Sequence, residues 1–225
     1  MTELLNRSGS ETRSELMTTT SDQGAVDALR SSPIDWVRSR RAEREVRKAE
    51  AAHHRLAQRM GRLGTEWHVL DLKAATGSDR DSFLAVGPGG VFAVTVKDHG
   101  RSRVMFAGDI VQIDGRRPKY VEEARENARL AAEALSRTAG VSIPVMPVLA
   151  FAGSGKISFH GVPKRCMVTS YEEVARVLNA RGRRLAADTV RKVFAVAVHP
   201  MTWMNPPYVA LADRYRWYPE DGPAH

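Results

Sequence analysis

Apolar positions recur at alternating steps of four and three from Ala42 through Val46, Ala49, His53, Leu56, Met60 and Leu63. That spacing makes one stripe of a helix, which the pattern places over residues 33–63. From Glu66 onward the period shortens. Strand-like runs cover residues 67–72, 81–86 and 91–97, and two more, 104–106 and 110–113, flank a short hairpin connection containing Gly108. A long helix is predicted over 120–137, its apolar side carrying Ala124, Ala128, Ala131, Ala132 and Leu135. Strands over 145–152 and 165–169 follow, then helices over 171–180 and 187–198.

This order predicts an α/β fold, a mixed β-sheet with helices on both faces. A chain of 225 residues has room for one domain and an appendage. Residues 1–32 are rich in Ser, Thr, Glu and Asp, with little apolar surface to offset the entropy of ordering, and read as a disordered acidic tail. A basic helix over 33–63 then leads into a domain over 64–200, and 201–225 form a C-terminal extension. The one cysteine, Cys166, excludes an internal disulfide and a Cys-rich zinc module, and reads as core. No apolar run approaches the ~20 residues needed to span a bilayer, and residues 1–30 lack the apolar centre of a signal peptide. The expectation is a cytoplasmic protein with no membrane partner.

Charge sharpens the picture. The net charge is +8, which favours an anionic partner, nucleic acid before membrane. Most of the excess falls in the predicted helix, where Arg40, Arg44, Arg47 and Lys48 are among nine basic residues set against four acidic ones. Further basic clusters lie in predicted loops: Arg101 with Arg103, Arg116 with Arg117 and Lys119, and Arg181 with Arg183 and Arg184. Such a set can hold a phosphate backbone without reading its sequence, or be a solvated surface. Tyr120 and Trp203 can stack on bases or pack.

The stretch with candidate chemistry is SDRDSFLAVGPGGVFAVTVKDH, residues 78–99. A Gly-Pro-Gly-Gly turn at 87–90 joins two strands, its glycines allowing the positive φ of a tight reversal. An aspartate starting one strand and a lysine ending its partner, Asp81 and Lys97, are expected to converge at one sheet edge. There a carboxylate can hold a divalent cation, and an ammonium can stabilise the charge developing on a phosphodiester. Taken alone, Asp81 reads equally as a turn residue and Lys97 as a guard against edge-to-edge pairing.

The aspartate-led strand, the GPGGVF turn and the strand ending in x-Lys resemble the nuclease-related domain (NERD) family, itself akin to the PD-(D/E)xK phosphodiesterases. The resemblance spans roughly residues 40–180 and implies a nuclease-like core that engages DNA, with Mg²⁺ as cofactor. Carried over by position, it makes Asp81 a metal ligand, Lys97 the catalytic lysine and Glu43 an accessory helix acid, with Glu45 two residues away. The acid of the acid-x-Lys pair falls on Thr95, a neutral and weak ligand for a hard cation. Asp79, Asp98, Glu43 and Glu126 are the acids that could compensate. The resemblance thus implies a phosphodiesterase with a weakened acidic site. The alternative is a non-catalytic module for nucleic acid or protein that keeps the nuclease fold.

GSGK at 153–156 lacks the first glycine and the final Ser or Thr of a phosphate-binding loop, and reads as a turn. His53 falls on the apolar stripe and is expected to pack. His99 is expected in a solvent-facing loop.

Overall fold

The computed structural model describes residues 33–77, 81–153 and 155–204. The expected tail over 1–32, Asp79 and residues 205–225 of the expected extension lie outside the described residues. The chain divides into two compact units, residues 1–46 and 47–225. In the first, residues 33–46 are helical, with Ile34, Trp36, Val37 and Val46 exposed, and the Arg40 guanidinium lies 5.1 Å from the centre of the Trp36 ring.

The elements in order are α1 (Pro33–Met60), β1 (His68–Asp71), α2 (Leu72–Thr76), β2 (Ser82–Gly87), β3 (Gly90–Asp98), β4 (Val104–Ala107) and β5 (Ile110–Ile113). There follow α3 (Tyr120–Ala139), β6 (Met146–Ala152), β7 (Ile157–Gly161), β8 (Met167–Ser170), α4 (Val174–Asn179), α5 (Ala187–Val198) and a 3₁₀ turn at Pro200–Thr202. The main sheet has the order β1-β2-β3-β6-β8. Its β1–β2 and β2–β3 pairs are antiparallel, and its β3–β6 and β6–β8 pairs parallel.

Alternate residues of these strands feed two apolar layers. On one face Phe83, Ala85, Val94, Val96 and Val148 pack with Ala52, Leu56 and Met60 of α1 and with Val174 and Leu178 of α4. On the other, Leu84, Val86 and Val91 pack with Leu130, Ala131 and Leu135 of α3 and Val190 of α5. Helices on both faces were expected, and both faces have them. The helical stripe is buried only in its second half, at Leu56, Met60 and Leu63, while Ala42 and Val46 are exposed.

One mixed sheet was expected, and the described residues form two. Strands β5, β4 and β7 form a separate three-stranded sheet, with β4–β5 antiparallel and β4–β7 parallel. Its inner side, Val104, Phe106, Val111 and Ile113, packs on Leu149, Phe151 and the first turns of α3. Strand β7 has no clear sequence signal because it is an edge strand with partial burial, carrying Ser158 and His160 among its apolar residues. The packed body also extends beyond residue 200. Trp203 is buried, and its indole nitrogen donates to the Ala197 carbonyl at 2.7 Å, so this aromatic packs and is not a stacking platform.

The turn at 87–90 forms as expected, but its glycines do different work. Only Gly90 has a positive φ, at 131°. Gly87 is required by space, since a Cβ there would lie 2.2 Å from the Trp67 ring.

The small sheet is pinned to α3 by Asp109 in the β4–β5 turn. Its carboxylate accepts from both terminal nitrogens of Arg125, at 2.7 and 2.9 Å, and from the Lys164 backbone at 2.9 Å. Those bonds to Arg125 first, then to Lys164, hold the Asp109 carboxyl below the usual carboxylate range. A lowered folded-state value means the contribution is complete above the unfolded value near ~4 and is lost as pH falls through the folded one. The pair is solvent-accessible, so its worth is below about 1 kcal/mol. Asp109→Asn is therefore expected to lower the urea midpoint slightly at pH 7 and to converge with wild type as pH falls below about 4, which flattens the acid limb. An unchanged acid limb would contradict this account.

Candidate nucleic-acid interface

The strand register decides what the sequence could not. Ser82 is the cross-strand partner of Thr95, and directly opposed residues of an antiparallel pair share a face. Lys97, two residues beyond Thr95, therefore lies on that same face. Asp81, one residue before Ser82, lies on the other, with its carbonyl accepting from Val96 N at 3.0 Å. The expected convergence of Asp81 and Lys97 at one site does not occur, because side chains alternate with period two and the two residues differ in parity relative to the register.

On the α1 face, the Asp81 carboxylate accepts from Lys73 Nζ at 2.9 Å. His53 of α1 stacks on Phe83, with ring centroids 4.2 Å apart, and its Nε2 lies 2.7 Å from Asp71 Oδ2. Its Nδ1 faces Asp81 Oδ1 at 3.6 Å. His53 packs, as its place on the stripe predicts, and also bridges towards two carboxylates. Asp98 is on this face too, held by Arg55 at 2.8 Å.

On the α3 face, Thr95 is fully buried and its hydroxyl accepts from the Asn127 amide at 3.0 Å. Ser82 is buried beside it. The position that the resemblance assigns to an acid is thus a neutral hydroxyl in a neutral hydrogen bond, opposite a second hydroxyl residue. Lys97 Nζ donates to Glu123 Oε1 at 2.6 Å and lies 4.9 Å from the centre of the Tyr120 ring. His99 Nε2 is 2.8 Å from the Tyr120 hydroxyl, and the His99 ring also approaches Phe151. His99 is therefore tethered to the end of the sheet and half-buried, in place of the free loop position expected.

Beyond β3 three loops are tied together. Ser102 Oγ donates to Asp114 Oδ2 at 2.6 Å, joining the loop after β3 to the one after β5. Gly155 N donates to Ser102 O at 3.0 Å, and Val104 N to Lys156 O at 3.1 Å, joining both to the loop after β6. Arg101, Arg103, Arg116, Arg117, Lys119 and Lys156 are exposed on these loops. The acids there are engaged locally: Asp98 with Arg55 and Gly100 N, Asp114 with Ser102. The structure joins into one rim the clusters at 101–103 and 116–119, which are far apart in hydropathy pattern and near in space. It adds Lys156, which follows a bend at Gly155. Glu123, Asn127 and Lys73 were not singled out by sequence, because only the register shows which strand residues they meet.

Arg40, Arg44 and Glu43 are exposed in the described part of the first unit, and Arg47 and Lys48 are exposed at the start of the second. Glu126, the acid weighed as compensation for Thr95, is paired with Arg129.

These residues do not fit a Mg²⁺ site. A hard cation needs several oxygen ligands, carboxylates above all. Asp81 is engaged by Lys73, Glu123 by Lys97, and the sheet lies between them. Among the described residues no group of three or more His, Cys, Asp and Glu side chains is placed to hold a metal. Cys166 is buried and its thiol is pushed up to about 11, mainly by that burial, so it is protonated at neutral pH. Among the described residues no helix is long and apolar enough to cross a membrane. No family model, curated protein or solved structure matches the chain.

Proposed function

We propose that this chain is a DNA-binding module with a PD-(D/E)xK-like layout that grips phosphates and does not cut. The observation that carries the reading is the rim of six exposed cations on three hydrogen-bonded loops. Exposed guanidinium and ammonium groups with engaged acids between them suit a row of phosphates, and contacts of this kind bind without reading bases. The nuclease-like layout is supported by the β2–β3 hairpin closed by the GPGG turn, with α1 and α3 on opposite faces of its sheet. The absence of cutting is supported by the neutral Ser82–Thr95 pair and by the opposite facing of Asp81 and Lys97.

The test is fluorescence anisotropy with a labelled duplex in EDTA, run in parallel with a plasmid-nicking assay in Mg²⁺ or Mn²⁺. Binding is expected without metal, steeply weakened by salt, and retained by Asp81→Ala. Metal-dependent cleavage that Asp81→Ala or Lys97→Ala abolishes would overturn the proposal. So would equal affinity for heparin and duplex with no footprint on DNA, which marks a surface for an acidic protein partner.

A further inference from the structure

The outward side of the small sheet carries a half-open recess of about 140 Å³, lined in part by Met105, Ala107, Ile110, Gln112, Arg117 and His160. Met105 and Gln112 are cross-strand partners, as are Ala107 and Ile110, so its floor is sheet and not a mobile loop. The lining contains no carboxylate. Its volume is far below the several hundred Å³ of a typical drug-sized site. It is open to solvent on one side, with room for about one aromatic ring.

Three features select the occupant. An apolar floor with a thioether suits the face of a planar ring. The Gln112 amide offers both a donor and an acceptor at the margin, and His160 adds a second polar edge, the pairing a heterocycle needs and a plain hydrocarbon does not. Arg117 belongs to the cavity wall and also to the cationic loop that carries Arg116 and Lys119. A ring seated here is thus covalently within reach of phosphates on the rim if it is a base of a nucleic-acid strand.

We infer that this cavity receives one unpaired pyrimidine base of a single strand whose phosphates lie on the adjoining rim. The inference rests on the DNA-binding reading above and refines it from duplex-tolerant phosphate binding to preference for single strands. A base inside a duplex has both faces stacked and cannot enter; an unpaired base can be turned out and stacked on side chains. One-ring volume favours a pyrimidine over a purine.

The experiment compares oligo(dT), oligo(dA), a duplex of equal length and heparin by fluorescence anisotropy or competition. Wild type is tested beside Ala107→Leu, which fills the cavity, and Ile110→Ser, which removes an apolar wall. Both positions are exposed and both changes conserve charge, and circular dichroism confirms that each variant is folded. Wild type is expected to bind oligo(dT) more tightly than oligo(dA) or duplex. Either variant is expected to lose roughly tenfold for oligo(dT), the usual scale for one stacked base, with less than about twofold change for duplex and heparin. Equal binding of oligo(dT) by wild type and both variants overturns the base pocket and leaves the rim standing. Equal losses for oligo(dT) and duplex also overturn it. Failure of wild type to bind any DNA overturns the DNA-binding reading itself.

Discussion

Replacing Arg101, Arg103, Arg116 and Arg117 together with glutamine is expected to weaken duplex binding at low salt by at least about a hundredfold. Each phosphate neutralised by a cation releases condensed counterions and contributes about −0.9 to the slope of log K against log salt. Losing four such contacts makes that slope shallower by about 3.6, and in wild type those contacts account for roughly a hundredfold loss of affinity between 50 and 200 mM salt. The variant should therefore differ most from wild type at 50 mM and approach it as salt rises. Glutamine keeps length and hydrogen-bonding capacity, so the loss reports charge. All four side chains are exposed, and the loops are held by Ser102, Asp114 and backbone bonds that the substitutions leave alone. Titrations at four salt concentrations measure the slope directly. An unchanged slope would show that the phosphates lie elsewhere, with the α1 residues Arg47 and Lys48 the next to examine.

The largest effect on stability is expected at Gly87. A Cβ there would sit 2.2 Å from Cδ2 and Cε3 of Trp67. Trp67 cannot step aside freely, since it is buried against Phe92 and its Nε1 donates to Asn179 Oδ1 at 2.8 Å. Overpacking of this kind costs about 1–3 kcal/mol, and more when a hydrogen bond is broken with it. For a domain of this size each kcal/mol lowers Tm by about 2–4 °C, so a loss of about 3 kcal/mol from clash and broken hydrogen bond in Gly87→Ala should lower it by roughly 6–12 °C. Adding Trp67→Leu to Gly87→Ala should recover part of the loss, because the two groups compete for one space. A double mutant whose losses simply add would show that the clash is not with Trp67. The glycine-rich turn is thus held by packing on one side and by φ on the other, at Gly87 and Gly90 respectively.

What the chain declares locally was legible without the fold. The period change after Glu66, the hairpin around Gly108 and helix α5 over Ala187–Val198 all follow from hydrophobic spacing and turn residues. Short or edge elements were not: α2 has five residues and β7 is half exposed, so neither carries a long enough pattern. The candidate site was legible only as residue types. Asp81 and Lys97 look like partners because each stands at the end of a strand, yet the hairpin register, set by Gly87 opposite Gly90, turns them to opposite faces.

The sequence by itself determined that this protein is α/β, that one cysteine stays in the core, and that positive charge concentrates in a helix and in loops. Those properties depend on neighbours within a few residues, or on composition alone. Only the tertiary structure decided which face each strand residue takes, that Thr95 answers to Asn127 and Lys97 to Glu123, and that loops fifty residues apart form one cationic rim. Side-chain facing is fixed by strand register and loop adjacency by sheet order, and both are long-range pairings that local pattern does not encode.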